Sequence, residues 1–119
     1  MSSDSRDQVP PIQQLDVVAR LFPLVERGEK TSTIRWRERT IVPGMMRYVC
    51  ADDRSRTVDV MVTRCVSMPL ADVAAYQGRE AEWPDAVMLE GMREHYPDIT
   101  LADVVDVVEH RTPQESHPR

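Results

Sequence analysis

The most informative segment of this chain is Gly28-Glu29-Lys30-Thr31-Ser32-Thr33-Ile34-Arg35-Trp36. It places a turn signal, hydroxyl groups and two cations directly ahead of two aliphatic segments. A glycine that follows an apolar-periodic segment readily adopts the left-handed conformation that ends a helix, so Gly28 predicts a helix end. From Thr31 onward the residues predict a strand, in which alternate side chains point to opposite faces.

The predicted strand has a polar face and a largely apolar face. The polar face carries Thr31, Thr33 and Arg35, and the other face carries Ser32, Ile34 and Trp36. We expect the apolar face to pack and the polar face to be left for a ligand. Lys30 and Thr33 are an odd number of positions apart, so they meet only if the chain turns at Lys30.

These residue types suit nucleophilic catalysis. A hydroxyl is a poor nucleophile at neutral pH unless a neighbouring base takes its proton, and a lysine can act as that base. Thr33 and Lys30 would form such a pair, and Arg35 would supply positive charge for a developing oxyanion. The alternative is that Lys30 and Arg35 are solvated charges that flank an ordinary edge strand.

The motif resembles that of the ASCH domains of the PUA-like superfamily. The resemblance covers roughly residues 14 to 110, and its elements are Gly28-x-Lys30-Thr31-x-Thr33-x-Arg35, then Gly44 before a strand and Tyr96-Pro97 after a helix. It implies an α+β fold, a small PUA-like β-barrel with flanking helices, and a cleft lined by the motif. In one branch of the family the activity is hydrolysis of N4-acetylcytidine to cytidine and acetate.

The resemblance to that branch implies catalytic roles for Thr33, Lys30 and an acid in the segment Glu80-Ala81-Glu82. Thr33 would be the nucleophile, Lys30 the base, and Glu82 or alternatively Glu80 the carboxylate that orients the lysine. Glu82 is preferred because it directly precedes Trp83-Pro84, where a rigid helix start would hold it better than a loop. Without the resemblance, either carboxylate can simply complement a helix dipole.

The candidate substrate-binding residues are Arg35, Thr31 and Trp36. A competing interpretation is a module that binds an RNA base or a modified nucleotide without turnover, with Arg35 and Arg37 on phosphate and Trp36 or Tyr48 stacking. A third interpretation is a ribonuclease. The partners expected are therefore a small nucleoside substrate or RNA, and no membrane.

Composition indicates one globular domain. The chain has 119 residues, 41% hydrophobic and 29% charged, and its N-terminal segment lacks the apolar core of a signal peptide, so a cytoplasmic protein is expected. Cys50 and Cys65 lack metal-site spacing and are expected to be buried thiols. No metal and no cofactor are predicted, since the three histidines also lack such spacing.

The net charge of −5 conceals an uneven distribution. Residues 27 to 64 hold nine Lys and Arg against five Asp and Glu, whereas residues 65 to 119 hold four against eleven. The basic half contains the motif. A locally positive cleft on an acidic body suits a nucleoside or a short RNA end better than duplex nucleic acid.

The remaining elements follow from periodicity, prolines and glycines. We predict a disordered lead-in over 1–11, a domain over 12–111 and a disordered tail over 112–119. Strands are predicted over 31–36, 45–50, 57–66 and 99–110, and helices over 23–27, 70–76 and 84–96. The segment before Pro23 is compatible with either strand or helix. The apolar positions expected in the last helix are Val87, Leu89 and Met92.

Overall fold

The computed structural model describes residues 12–117, and the predicted lead-in over 1–11 lies outside them. The described chain forms two compact units. Unit 1 comprises residues 12–31, 43–63 and 110–117, and unit 2 comprises residues 32–42 and 64–109.

Five strands and four helices lie within the described residues. The strands are β1 (Gln13–Val17), β2 (Ser32–Arg35), β3 (Gly44–Cys50), β4 (Asp53–Pro69) and β5 (Val104–His110). The helices are α1 (Phe22–Glu26), α2 (Leu70–Tyr76), α3 (Asp85–Arg93) and α4 (Pro113–Ser116). The strands are hydrogen-bonded in the order β1-β3-β4-β5-β2. This mixed sheet with flanking helices confirms the predicted α+β class. None of the helices described is long and apolar enough to cross a bilayer.

Unit 1 contains β1, β3 and the first part of β4. β1 is parallel to β3, with Leu15 opposite Tyr48, and β3 is antiparallel to β4, with Met46 opposite Val60. Of the segment before Pro23, residues Gln13–Val17 thus form a strand. The buried side chains of this unit include Leu15, Val17, Phe22, Val25, Met46, Tyr48, Val60 and Val62.

The predicted helix end at Gly28 is confirmed. Gly28 has φ +80° just after α1, and the backbone N–H groups of Glu29 and Lys30 both donate to the carbonyl oxygen of Leu24, at 2.9 and 3.1 Å. The wrapped chain satisfies a carbonyl that the helix end would otherwise leave without a partner. The chain therefore turns directly before Lys30.

The tail over 112–119, predicted to be disordered, contains the helix α4 within its described residues, 112–117. The Thr112 hydroxyl accepts from the Glu115 backbone N–H at 3.1 Å, and the Glu115 carboxylate accepts from the Thr112 N–H at 3.2 Å. This is a capping box, which satisfies two donors at a helix start. The hydroxyl of Ser116, which is buried, also accepts from the Met61 N–H at 2.8 Å. These bonds stabilise α4 despite its polar composition.

Unit 2 contains the second part of β4 with β5, β2, α2 and α3. Its core comprises Leu70, Val73, Ala74, Met88, Met92, Ile99, Val105 and Val107. The expected apolar face of α3 was wrong at Val87, which is 49% exposed. The expectation was confirmed at Met92, which is buried together with Met88, because residues four apart lie on one face of a helix.

A buried pair of polar side chains lies within unit 1. The Tyr48 hydroxyl is 2.8 Å from His110 Nε2, and His110 Nδ1 is 2.8 Å from the Arg111 carbonyl oxygen. A carbonyl can only accept, so Nδ1 carries the proton and Nε2 accepts from Tyr48. Burial lowers the pKa of His110, and the positive charge of Lys30 acts in the same direction.

The glycine positions generate a stability prediction. A Cβ at Gly28 would lie 3.0 Å from Thr112 Cγ2, whereas a Cβ at Gly78, with φ +70°, meets nothing within 4 Å. Gly78→Ala should lower the free energy of unfolding by about 1–2 kcal/mol from the left-handed backbone alone, and Gly28→Ala should lower it further. Gly91→Ala, within α3, should raise it by about 0.5–1 kcal/mol. Urea denaturation measures all three, and equal losses at Gly28 and Gly78 would contradict the contact argument.

The buried histidine predicts a pH dependence of stability. As the pH falls below about 6.5, the unfolded chain binds a proton that folded His110 resists, so the free energy of unfolding falls. The loss ends once the pH is below the folded-state pKa and amounts to about 1.4 kcal/mol for each unit by which that pKa is lowered. Urea denaturation between pH 8 and pH 5 should show this slope, and His110→Gln should flatten it. An unchanged slope in that variant would assign the effect to another group.

Candidate functional site

Thr33 and Arg35 are brought together on one face of β2. The strand pairs antiparallel with β5, with Thr33 opposite Val108 and Ile34 opposite Val107. Arg35 Nε donates to Thr33 Oγ1 at 2.9 Å, which confirms that the two side chains share a face. This face is less open than expected, because Thr33 is only 4% exposed.

Two further side chains extend this contact within unit 2. Arg35 Nη1 lies 3.4 Å from Glu38 Oε1, and the Tyr96 hydroxyl donates to Glu38 Oε2. Burial, followed by the bond to Glu38, raises the pKa of Tyr96 to about 12, so the phenol remains a donor at neutral pH. The result is a continuous hydrogen-bonded chain that runs from Tyr96 through Glu38 and Arg35 to Thr33.

Trp36 follows Arg35 and packs toward the core of unit 2. Its ring meets Tyr96 edge-on, with centroids 5.9 Å apart, and the Arg37 guanidinium lies 4.3 Å from its centroid. Arg37 has φ +58°, a conformation that residues other than glycine rarely adopt. The backbone therefore bends sharply at the point where the arginine folds over the indole.

The two candidate acids lie in the turn that leads into α3. The Glu82 N–H donates to the Arg79 carbonyl oxygen at 3.1 Å. The Glu82 carboxylate, whose side chain is 67% exposed, lies 3.9 Å from Arg79 Nη1. The Arg79 guanidinium in turn lies 5.1 Å from the centroid of the Trp83 ring. Glu80 is exposed in the same turn.

Lys30 and Thr31 belong to unit 1, whereas the motif from Ser32 onward belongs to unit 2. The Thr31 carbonyl oxygen accepts from the His110 backbone N–H at 2.9 Å. Lys30 lies close enough to His110 for its charge to influence the pKa of that histidine. Within unit 1, the first part of the motif is thus held beside the buried Tyr48–His110 pair.

Sequence reasoning missed Glu38 and the hydroxyl of Tyr96. Glu38 could have been found from its spacing of three residues from Arg35. Nothing in the sequence links it to Tyr96, which lies 58 positions away. The proposed stacking on Tyr48 was wrong, because that side chain is fully buried and its hydroxyl is bonded to His110.

The arrangement around Thr33 favours a reactive hydroxyl. A guanidinium N–H that donates to a hydroxyl oxygen stabilises the alkoxide more than the alcohol, because the bond becomes charge-assisted at both ends. Removal of the Thr33 proton is correspondingly easier. Within residues 12–117, no group of three His, Cys, Asp or Glu side chains is placed to hold a metal ion.

No family model matches the sequence, and no curated protein matches it. Several solved structures do match this chain. The ASCH protein of Zymomonas mobilis is 13% identical, with a TM-score of 0.63 over 85% of this chain and 67% of that one. A serine-to-alanine mutant of that protein is likewise 13% identical, with a TM-score of 0.64 over 89% of this chain and 72% of the mutant chain. Protein EF3133 of Enterococcus faecalis V583, of the family model DUF984, is 12% identical, with a TM-score of 0.58 over 91% and 84%. This chain therefore has the fold of the solved ASCH-domain structures, as its motif predicted.

Proposed function

We propose that this chain hydrolyses N4-acetylcytidine, or a related N4-acylated cytosine nucleoside, to cytidine and the carboxylic acid. The observation that carries the proposal is the buried Thr33 hydroxyl, whose oxygen accepts from Arg35 Nε at 2.9 Å. A fixed cation that donates to a hydroxyl oxygen favours loss of the hydroxyl proton, which supports a role for Thr33 as a nucleophile when a base is also present. The ASCH-like fold supports the broader class, an RNA-related hydrolase or binding module.

The reaction would proceed through an acyl-threonine. Neutral Lys30 takes the proton of Thr33 as Oγ1 attacks the acyl carbonyl carbon, and Arg35 stabilises the negative charge that develops. The tetrahedral intermediate collapses, and the N4 amine of cytidine leaves with the proton from Lys30. Water then attacks the ester, which releases the acid and restores the Thr33 hydroxyl.

Glu82 is the acid that we assign to Lys30, with Glu80 as the alternative. A carboxylate beside a lysine holds the ammonium when it is charged and orients the amine when it is neutral. The N–H of Glu82 is bonded to the Arg79 carbonyl oxygen, and Trp83, the next residue, packs against the core of unit 2. These contacts hold the backbone of Glu82 in place, which supports its assignment over Glu80.

Thr31 and Trp36 complete the proposed set as substrate-binding residues. A specific observation also favours a second candidate, a module that binds a base without turnover. The Arg37 guanidinium lies over the Trp36 ring at 4.3 Å, and cation–aromatic pairs of this kind are used to stack nucleobases. A base would bind by replacing or covering the guanidinium, with Arg37 then available for phosphate.

The first test follows conversion of N4-acetylcytidine by the purified chain, with the products separated by chromatography. We expect cytidine and acetate to form in equal amounts. Lys30→Arg keeps the charge but removes the usable base, so kcat should fall by about 10²–10⁴-fold. An active Lys30→Arg variant would assign the lysine a purely electrostatic role. Binding of the nucleoside by the wild-type chain without any product would favour the binding module.

The second test compares the two acids, with Glu80→Ala as the matched control for Glu82→Ala. Both side chains are exposed in one turn, so neither change should shift the melting temperature appreciably. Glu82→Ala should lower kcat by about 10-fold or more, as expected for loss of a group that orients a catalytic side chain, and Glu80→Ala should leave kcat nearly unchanged. The opposite order would assign the role to Glu80, and two equally small effects would remove both from the mechanism.

A further inference from the structure

We infer that Glu38 and Tyr96 are positioning residues that hold the Arg35 guanidinium on the Thr33 hydroxyl. The inference rests on the proposed function for the role of Thr33. It adds Glu38, which the resemblance does not include, and gives the Tyr96 hydroxyl a role that the resemblance does not assign. Neither side chain touches Thr33 directly. Both act through Arg35, in a chain of contacts that lies entirely within unit 2.

Glu38 contacts the Arg35 guanidinium at a different atom from Thr33. The arginine donates from Nε to Thr33 Oγ1 at 2.9 Å and from Nη1 toward Glu38 Oε1 at 3.4 Å, so two atoms of the planar guanidinium are held. An arginine side chain has many rotamers, and a second contact removes most of them.

A competing carboxylate makes this restraint necessary. Asp106 lies directly opposite Arg35 in the β2–β5 pairing, so it is within the range in which cross-strand charges attract. Asp106 accepts from the Ser67 hydroxyl at 2.8 Å. Glu38, from the loop after β2, competes with this attraction through its contact with Arg35 Nη1.

Tyr96 in turn fixes Glu38. Its hydroxyl donates to Glu38 Oε2, so each carboxylate oxygen of Glu38 has a different donor. The Tyr96 ring is held edge-on by Trp36, the residue next to Arg35. Glu38 lies in a loop with a partly exposed side chain, and Tyr96 supplies the rigidity that the loop lacks.

The activity test uses Glu38→Ala, Glu38→Gln and Tyr96→Phe. Glu38→Ala should lower kcat on N4-acetylcytidine by about 10–100-fold, the range for partners that orient a reactive group, with KM changed less than about twofold because the effect is on the transition state. The kcat of Glu38→Gln should lie between those of Glu38→Ala and the wild type, since only the oxygen of the glutamine amide can accept a hydrogen bond. Tyr96→Phe should lower kcat by about 3–10-fold for the same reason.

Two controls separate positioning from general damage to the fold. Tyr76→Phe removes another hydroxyl that donates to a carboxylate in the same unit, that of Glu109, and should leave kcat unchanged. In a protein that already carries Arg35→Lys, adding Glu38→Ala should have almost no further effect on kcat, because both residues act through the guanidinium. A full additional loss in that background would overturn the inference.

The NMR signal of the Arg35 Nε–H gives a measurement that does not depend on turnover. The signal is assigned by its absence from the spectrum of the Arg35→Lys variant. In the wild type this proton should exchange slowly with water, and Glu38→Ala and Tyr96→Phe should each speed the exchange by about 10-fold or more, as for a freed surface arginine. Unchanged exchange in both variants would overturn the inference. A wild-type chain that shows protected exchange dependent on Glu38 but forms no cytidine would refute the proposed substrate while leaving the positioning of Arg35 supported.

Discussion

The register of β2 on β5 is the constraint on which the candidate site depends. β2 has only four residues, and its pairing places Thr33 opposite Val108 and Ile34 opposite Val107. Side chains alternate along a strand, so a shift by one residue would move Ile34 away from the core of unit 2 and Thr33 toward it. The burial of Ile34 against that core opposes such a shift. Packing on one face of β2 thus determines which hydroxyl is presented on the other.

The two units accommodate buried polar groups in different ways. In unit 1, Tyr48 and His110 form a neutral pair that is almost fully buried, and this avoids the cost of burying a charge. In unit 2, Arg35 keeps its charge, with a side chain 13% exposed and a partner, Glu38, that is 33% exposed. Removing one member of such a pair costs more than the pair contributes, because the remaining charge is left poorly solvated. The Arg35–Glu38 pair therefore serves to orient the guanidinium on Thr33 and contributes little to the free energy of unfolding.

Local signals predicted most of the secondary structure. Gly28 and Gly78 end helices with positive φ, and the alternating valines of β4 are buried at Val60 and Val62. Two errors arose from reading local signals incompletely. Leu89 and Met92 of the expected apolar face of α3 do pack, but Val87 is exposed and Met88 packs as well. The capping box from Thr112 to Glu115 was overlooked because the tail is polar.

From the sequence alone came most of the strands and helices, although not α4 or the choice of strand for β1, and also the motif from Gly28 to Trp36 with its ASCH-like fold. These features are encoded locally, since backbone preferences and the periods of strands and helices act over a few residues. Only the tertiary structure decided that Glu38 bridges Arg35 to Tyr96, and that Tyr48 bonds to His110, 62 positions away. Such pairs leave no periodic signal, because contacts between distant residues arise only when packing of the core brings their strands, helices and loops together.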